Sequence, residues 1–169
     1  MNFLKTGKKL DSEIFSNFLK IAENISYKPY GNSDYATAST ENFLESNEYT
    51  DRLLKIINPK LNIAFPLILC VPRNTKMGIH VDSHPTRKSV ISWALTEDLS
   101  SFSETYFYKD NQITETLFYG LDGVLVNTQV PHNVVNNNQN RYSLQICLYN
   151  DFDEVISIHN TEGIFNDSY

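Results

Sequence analysis

The sequence predicts a mainly β, jelly-roll-like domain that carries two helices at its N-terminal end. Three observations point there. From Asn62 onward the chain breaks into short runs rich in β-branched and aromatic residues, each bounded by Gly, Pro, Asn or Asp. Many short strands at such spacing argue for a sandwich or barrel and against a parallel α/β sheet. Before Asn62 the apolar residues recur at helical spacing instead. The chain has 169 residues, 41% of them hydrophobic and 20% charged, which suits one domain with a sizeable core. The expected organisation is a helical segment over residues 1–60 packed on a β core over 61–160.

The first helix is expected in "DSEIFSNFLKIAENI", where Ile14, Phe15, Phe18, Leu19, Ala22 and Ile25 form one stripe and Asp11 or Ser12 can cap it. "SYKPYGNSDYATA" is turn-rich and reads as a surface loop. A second helix is expected in "STENFLESNEYTDRLLKIINP", capped by Ser39 or Thr40 and stopped before Pro59. The strands then follow as "NIAFPLILCV", "GIHVD", "KSVISWAL", "ETYFYKD", "ITETLFYG", "GVLVN", "QVPHNVV", "RYSLQICLY" and "EVISIH". "NNNQN" is a polar turn, and no internal repeat is visible.

Composition narrows the function classes. A formal net charge of −6, with positive residues scattered, gives no basic footprint for nucleic acid. The longest apolar run, "IAFPLILCVP", contains two prolines and is about half a bilayer span. The first residues lack the apolar core of a signal peptide. Cys70 and Cys147 make no metal-binding spacing and read as reduced core thiols. A cytoplasmic protein without membrane or nucleic-acid partners is the expectation.

The chemistry lies in "GIHVDSHPTRKSVISWAL". Residues two apart in a strand share a face, so His80 and Asp82 project together while Ile79 and Val81 project to the other side. Alone, this pair also fits a satisfied histidine followed by a turn-forming aspartate. His132 follows in "VPHNVV", and nine residues later Arg141 opens "RYSLQICLY". There Tyr142, Leu144, Ile146 and Leu148 face one way, and Arg141, Ser143, Gln145, Cys147 and Tyr149 the other. Arginine is the side chain best shaped to hold a carboxylate through two parallel hydrogen bonds. Two histidines and one carboxylate form the facial set that leaves positions open on a non-haem Fe(II). The arginine and serine would then take the far carboxylate of a chelating co-substrate.

"HVDSHPTRKSVISWALTED" followed by "VPHNVVNNNQNRYSLQICLY" resembles the Fe(II)- and 2-oxoglutarate-dependent oxygenases, especially the prolyl hydroxylase type. "LCVPRNTKMGIHVD" is similar to the strand entering the metal site in the aspartyl/asparaginyl hydroxylase-like branch. The resemblance covers roughly residues 62–150. It implies a double-stranded β-helix (a cupin-like jelly roll) using Fe(II), 2-oxoglutarate and O2. It assigns His80, Asp82 and His132 to iron, and Arg141 with Ser143 to the C5 carboxylate of 2-oxoglutarate. It also puts His132 and Arg141 on facing sheets, where a simple hairpin reading would make them neighbours. The Gly-Gly-x-Leu strand usual in prolyl hydroxylases is replaced here by "FSETYFYKD". The tyrosine that often contacts the C5 carboxylate has only Trp93 and Tyr106 as substitutes.

The implied reaction is hydroxylation of an unactivated C–H in a protein or peptide side chain or an amino acid. A cupin-like metalloenzyme without 2-oxoglutarate and a non-catalytic jelly-roll binding module are the alternatives. Arg87, beside Lys88 and His84 in the loop after Asp82, can hold an anionic substrate or simply be a solvated loop charge. Trp93 and Tyr106 can line the cavity or pack the core. Tyr106, Phe107, Tyr108, Phe118 and Tyr119 read as strand-core aromatics first and as a substrate wall second.

Overall fold

Ten antiparallel strands and three helices are formed by the described residues. The computed structural model describes residues 1–29, 36–39, 47–82, 84–96, 98–99, 103–136 and 139–166. The elements run β1 (Phe3–Lys9), α1 (Ser12–Asn24), β2 (Lys28–Pro29), β3 (Ala36–Ser39), α2 (Asn47–Lys55), β4 (Ile63–Val71) and β5 (Ser89–Ala94). They continue with β6 (Glu104–Lys109), β7 (Gln112–Phe118), β8 (Asp122–Asn127), β9 (His132–Val135), β10 (Arg141–Leu148) and α3 (Phe152–Glu162). A seven-stranded sheet has the order β1-β8-β5-β10-β4-β3-β2, and a three-stranded sheet the order β7-β6-β9.

The period-2 alternation of β10 explains how these layers stack. Leu144, Ile146 and Leu148 turn to the helices and pack with Phe18, Ala22, Leu53, Phe152 and Val155 in the largest core cluster. Cys147 turns the opposite way, toward the smaller sheet, and packs with Leu67, Leu69, Val90 and Val134. The helices thus cover one face of the large sheet, and the small sheet faces the other. Asp11 caps α1, its Oδ1 accepting from the backbone N–H groups of Glu13 (2.8 Å) and Ile14 (3.0 Å). That satisfies two donors a helix start leaves open. Arg52 of α2 reaches back to Asp11 (2.7 Å) and Glu13 (2.8 Å) and ties the helices together.

Four expectations need correction. The N-terminal segment is not purely helical: Phe3–Lys9 is an edge strand on β8. Its apolar content is low and Gly7 interrupts the register at φ 71°, so no alternation marks it. Within the expected loop, β2 and β3 pair with each other, and β3 adds to β4. The second helix begins at Asn47; Ser39 lies in β3, and residues 40–46, including the alternative cap Thr40, lie outside the described residues. Lastly, "EVISIH" is helical, within α3. Its β-branched residues suggest a strand, but Glu154 accepts from the Asp151 backbone N–H (3.0 Å), half of a capping box that outweighs propensity. No helix among the described residues is long and apolar enough to cross a membrane. Both cysteines are free and buried.

Candidate active site

The site is built first from backbone. His80 and His132 exchange two hydrogen bonds, each N–H to the other's carbonyl at 2.9 Å. They are therefore directly opposed residues of an antiparallel pair, and such residues share a face. Residues 79–82 form this one bridge and no strand of their own. Ile79 and Val81 point outward and are exposed, as the alternation requires. Two residues on, the Asp82 N–H donates to the Thr128 carbonyl (3.0 Å). The Gln129 side-chain amide donates to the Asp82 carbonyl (2.8 Å), so the segment is latched along its length.

The imidazoles are oriented alike. His80 Nδ1 lies 2.8 Å from the Gly78 carbonyl, and His132 Nδ1 lies 2.9 Å from the Val130 carbonyl. A carbonyl only accepts, so in each neutral ring Nδ1 carries the proton and Nε2 keeps its lone pair. His80 Nε2 is 3.7 Å from Asp82 Oδ1. One ligand atom from each of His80, Asp82 and His132 lies within 4.8 Å of the others. Burial holds the His132 pKa below its ordinary 6.5, with Asp82 opposing the shift, so this ring is neutral at pH 7. Two unprotonated imidazole nitrogens and a carboxylate are the donor set of a non-haem iron site, with the carbonyl partners fixing the tautomers. The residues fit the metal.

A cavity between the two sheets opens beside this trio, and Arg87, Tyr119, Arg141 and Gln145 line it with them. Arg141 enters from the first position of β10, paired with Val71 of β4. It is 2% exposed, and its guanidinium lies 4.6 Å from the centre of the Tyr119 ring. His132 on β9 and Arg141 on β10 belong to facing sheets, so the hairpin alternative fails. Ser143 is fully buried on the same face as Arg141 but stops short of the cavity wall, where Gln145 stands instead. The Gln145 amide donates to Ser143 Oγ at 3.3 Å.

Three weaker expectations move. Arg87 is no solvated loop charge: it is 6% exposed, and its Nε lies 3.2 Å from Asp82 Oδ2. Trp93 lies on the other face of the large sheet, fully buried against the helices, with its indole N–H donating to the Lys8 carbonyl (3.0 Å). Tyr106 also misses the cavity. On β6 it is Thr105 and Phe107 that turn inward, and the Tyr106 hydroxyl donates to the Glu104 carboxylate. Gln145 and Tyr119 stand in the cavity wall. Gln145 had a signal, since strand alternation puts it beside Arg141. Tyr119, read first as a core aromatic and second as a wall residue, follows the end of β7 and lines the cavity from the turn to β8.

The chain has the double-stranded β-helix fold of the Fe(II)/2-oxoglutarate oxygenases. Among solved structures it is similar to a prolyl hydroxylase from Trichoplax adhaerens in complex with a hypoxia inducible factor peptide. That match has a TM-score of 0.61 and 14% identity, over 92% of this chain and 87% of that one. It is also similar to a prolyl-4-hydroxylase from Pseudomonas putida (TM-score 0.58, 11% identity, 87% and 91% covered). A third is HygX from Streptomyces hygroscopicus, with nickel, 2-oxoglutarate and hygromycin B bound (0.55, 10%, 86% and 81%). No family model and no curated protein sequence matches the chain.

Proposed function

We propose that this protein is a non-haem Fe(II)- and 2-oxoglutarate-dependent oxygenase that hydroxylates an unactivated C–H, in a protein or peptide side chain or an amino acid. One observation carries the reading: one ligand atom each from His80, Asp82 and His132 lies within 4.8 Å of the others, at a cavity whose wall also holds a buried arginine. The neighbours' bound groups support it: one holds a peptide, another 2-oxoglutarate with hygromycin B.

His80, Asp82 and His132 would hold the iron. Arg141 would take the far carboxylate of 2-oxoglutarate, its guanidinium kept in place by the Tyr119 ring 4.6 Å away. Burial makes that charge effective, because a low-dielectric wall screens it far less than water does. The backbone bonds at Gly78 and Val130 keep protons on the outer ring nitrogens, so the inner ones stay free for metal. With both bound, iron and 2-oxoglutarate supply the oxidising power: O2 and 2-oxoglutarate yield succinate and CO2 as the substrate C–H becomes C–OH. The protein contributes orientation, charge matching and shelter from water.

Anaerobic titration with Fe(II) and then 2-oxoglutarate tests the reading through the visible charge-transfer band of the chelate. Wild-type protein should develop the band. Asp82→Ala should bind no iron, and Arg141→Ala should keep iron but lose 2-oxoglutarate affinity by at least about tenfold. Iron binding without any effect of 2-oxoglutarate points to a cupin-like metalloenzyme. Absence of metal binding leaves a non-catalytic jelly-roll module.

A further inference from the structure

The Asp82 carboxylate has two oxygens in different surroundings. Oδ1 lies 3.7 Å from His80 Nε2, while Oδ2 lies 3.2 Å from Arg87 Nε. Arg87 is itself fixed on several sides. Its terminal nitrogen donates to Gln145 Oε1 (2.7 Å). Its backbone carbonyl accepts from Thr128 Oγ1 (2.6 Å) and from the Gln129 amide (3.2 Å). Its own N–H donates to the His84 carbonyl (3.0 Å). Thr128 and Gln129 are the residues that also latch Asp82. One set of bonds therefore fixes both members of the ion pair.

We infer that Arg87 is a positioning residue of the metal centre: it engages Asp82 Oδ2 so that the carboxylate presents Oδ1 alone to a divalent cation. This inference rests on the iron-site reading above. Two physical consequences follow from the pair. A buried carboxylate can offer either oxygen or both, and an ion-paired guanidinium 3.2 Å from one oxygen biases which one is offered. Partners of this kind around a metal set ligand orientation, and their loss costs about 10–100-fold in metal affinity. Gln145 extends the same device one step outward, because its amide oxygen accepts from the same guanidinium.

Cobalt(II) tests this without turnover, since its visible spectrum reports the number and arrangement of ligands. Titration of wild-type protein, Arg87→Met and Arg87→Lys would be followed by calorimetry and by absorption, with circular dichroism to verify folding. Arg87→Met should bind Co(II) about 10–100-fold more weakly, with an altered visible spectrum. Arg87→Lys restores the charge without the fork and should fall between the two. Should Arg87→Met fail to fold, Gln145→Met loosens the same guanidinium and should weaken Co(II) binding by at least about threefold. An Arg87→Met protein, or in its place a Gln145→Met protein, with wild-type affinity and spectrum would overturn the positioning role alone. A wild-type protein that binds no Co(II) would overturn that role together with the iron-site reading.

Discussion

Burial controls the chemistry of individual residues well beyond the metal trio. Cys70 and Cys147 are enclosed, and loss of hydration pushes both thiols from the ordinary 9.0 up to about 11. The folded state then keeps protons that the unfolded chain releases. Their contribution to stability is complete below about pH 9 and is lost as pH rises toward 11, because unfolding there releases protons. Thermal melts between pH 8 and 10.5 should show a falling Tm, and Cys147→Ala should flatten that fall relative to wild type. A slope unchanged by the substitution would remove Cys147 as its source. Residue identity was largely legible here: two cysteines in apolar strands announce buried thiols. The role of Arg87 was not. Its neighbours in sequence are polar and loop-like, and only the folded chain brings Asp82 and Gln145 to its guanidinium.

Elements are joined by contacts no local pattern encodes. Strand β8 and the helix side of the large sheet meet at Gly123, where an added Cβ would stand 2.7 Å from Trp93 Cε2 and Nε1. The indole cannot retreat easily, since it is fully buried and donates to the Lys8 carbonyl of β1. Gly123→Ala should destabilise by about 1–3 kcal/mol, lowering Tm by about 2–4 °C per kcal/mol for a chain of this size. A differential scan that shows no loss would mean the indole shifts freely. The seven strands from β4 to β10 were readable because alternation and turn residues agree along them. Strand β1 was not, being short of apolar residues and interrupted at Gly7. Helix α3 was misread because Val155, Ile156 and Ile158 favour strands locally, while packing of Phe152 and Val155 onto the sheet rewards a helix.

At the scale of the whole molecule, the candidate metal-binding trio spans two pieces of chain fifty residues apart, from Asp82 to His132. It exists only while the fold holds them together, so a cation that binds there must stabilise the fold. At a free concentration about 100 times its Kd, Co(II) should add about 2.7 kcal/mol, and Tm should rise accordingly. Asp82→Ala should show no such rise, which a thermal-shift titration reads directly. An equal rise in that variant would place the binding elsewhere. The same architecture explains why the small sheet matters. It supplies His132, while the large sheet supplies Arg141, and the cavity lies between them.

The sequence by itself determined the strand-rich core, the first helix with its Asp11 cap, and the candidate ligands His80, Asp82 and His132 with Arg141. Those features follow from short-range rules: period-2 and period-3.6 alternation, capping chemistry, and the donor types a metal accepts. Tertiary structure alone decided that Tyr119 stacks on Arg141, that Trp93 and Tyr106 stand away from the cavity, and that Arg87 grips Asp82. Each of those depends on which face of which sheet a residue occupies. Strand pairing across long stretches of chain sets that face, and no local pattern carries it.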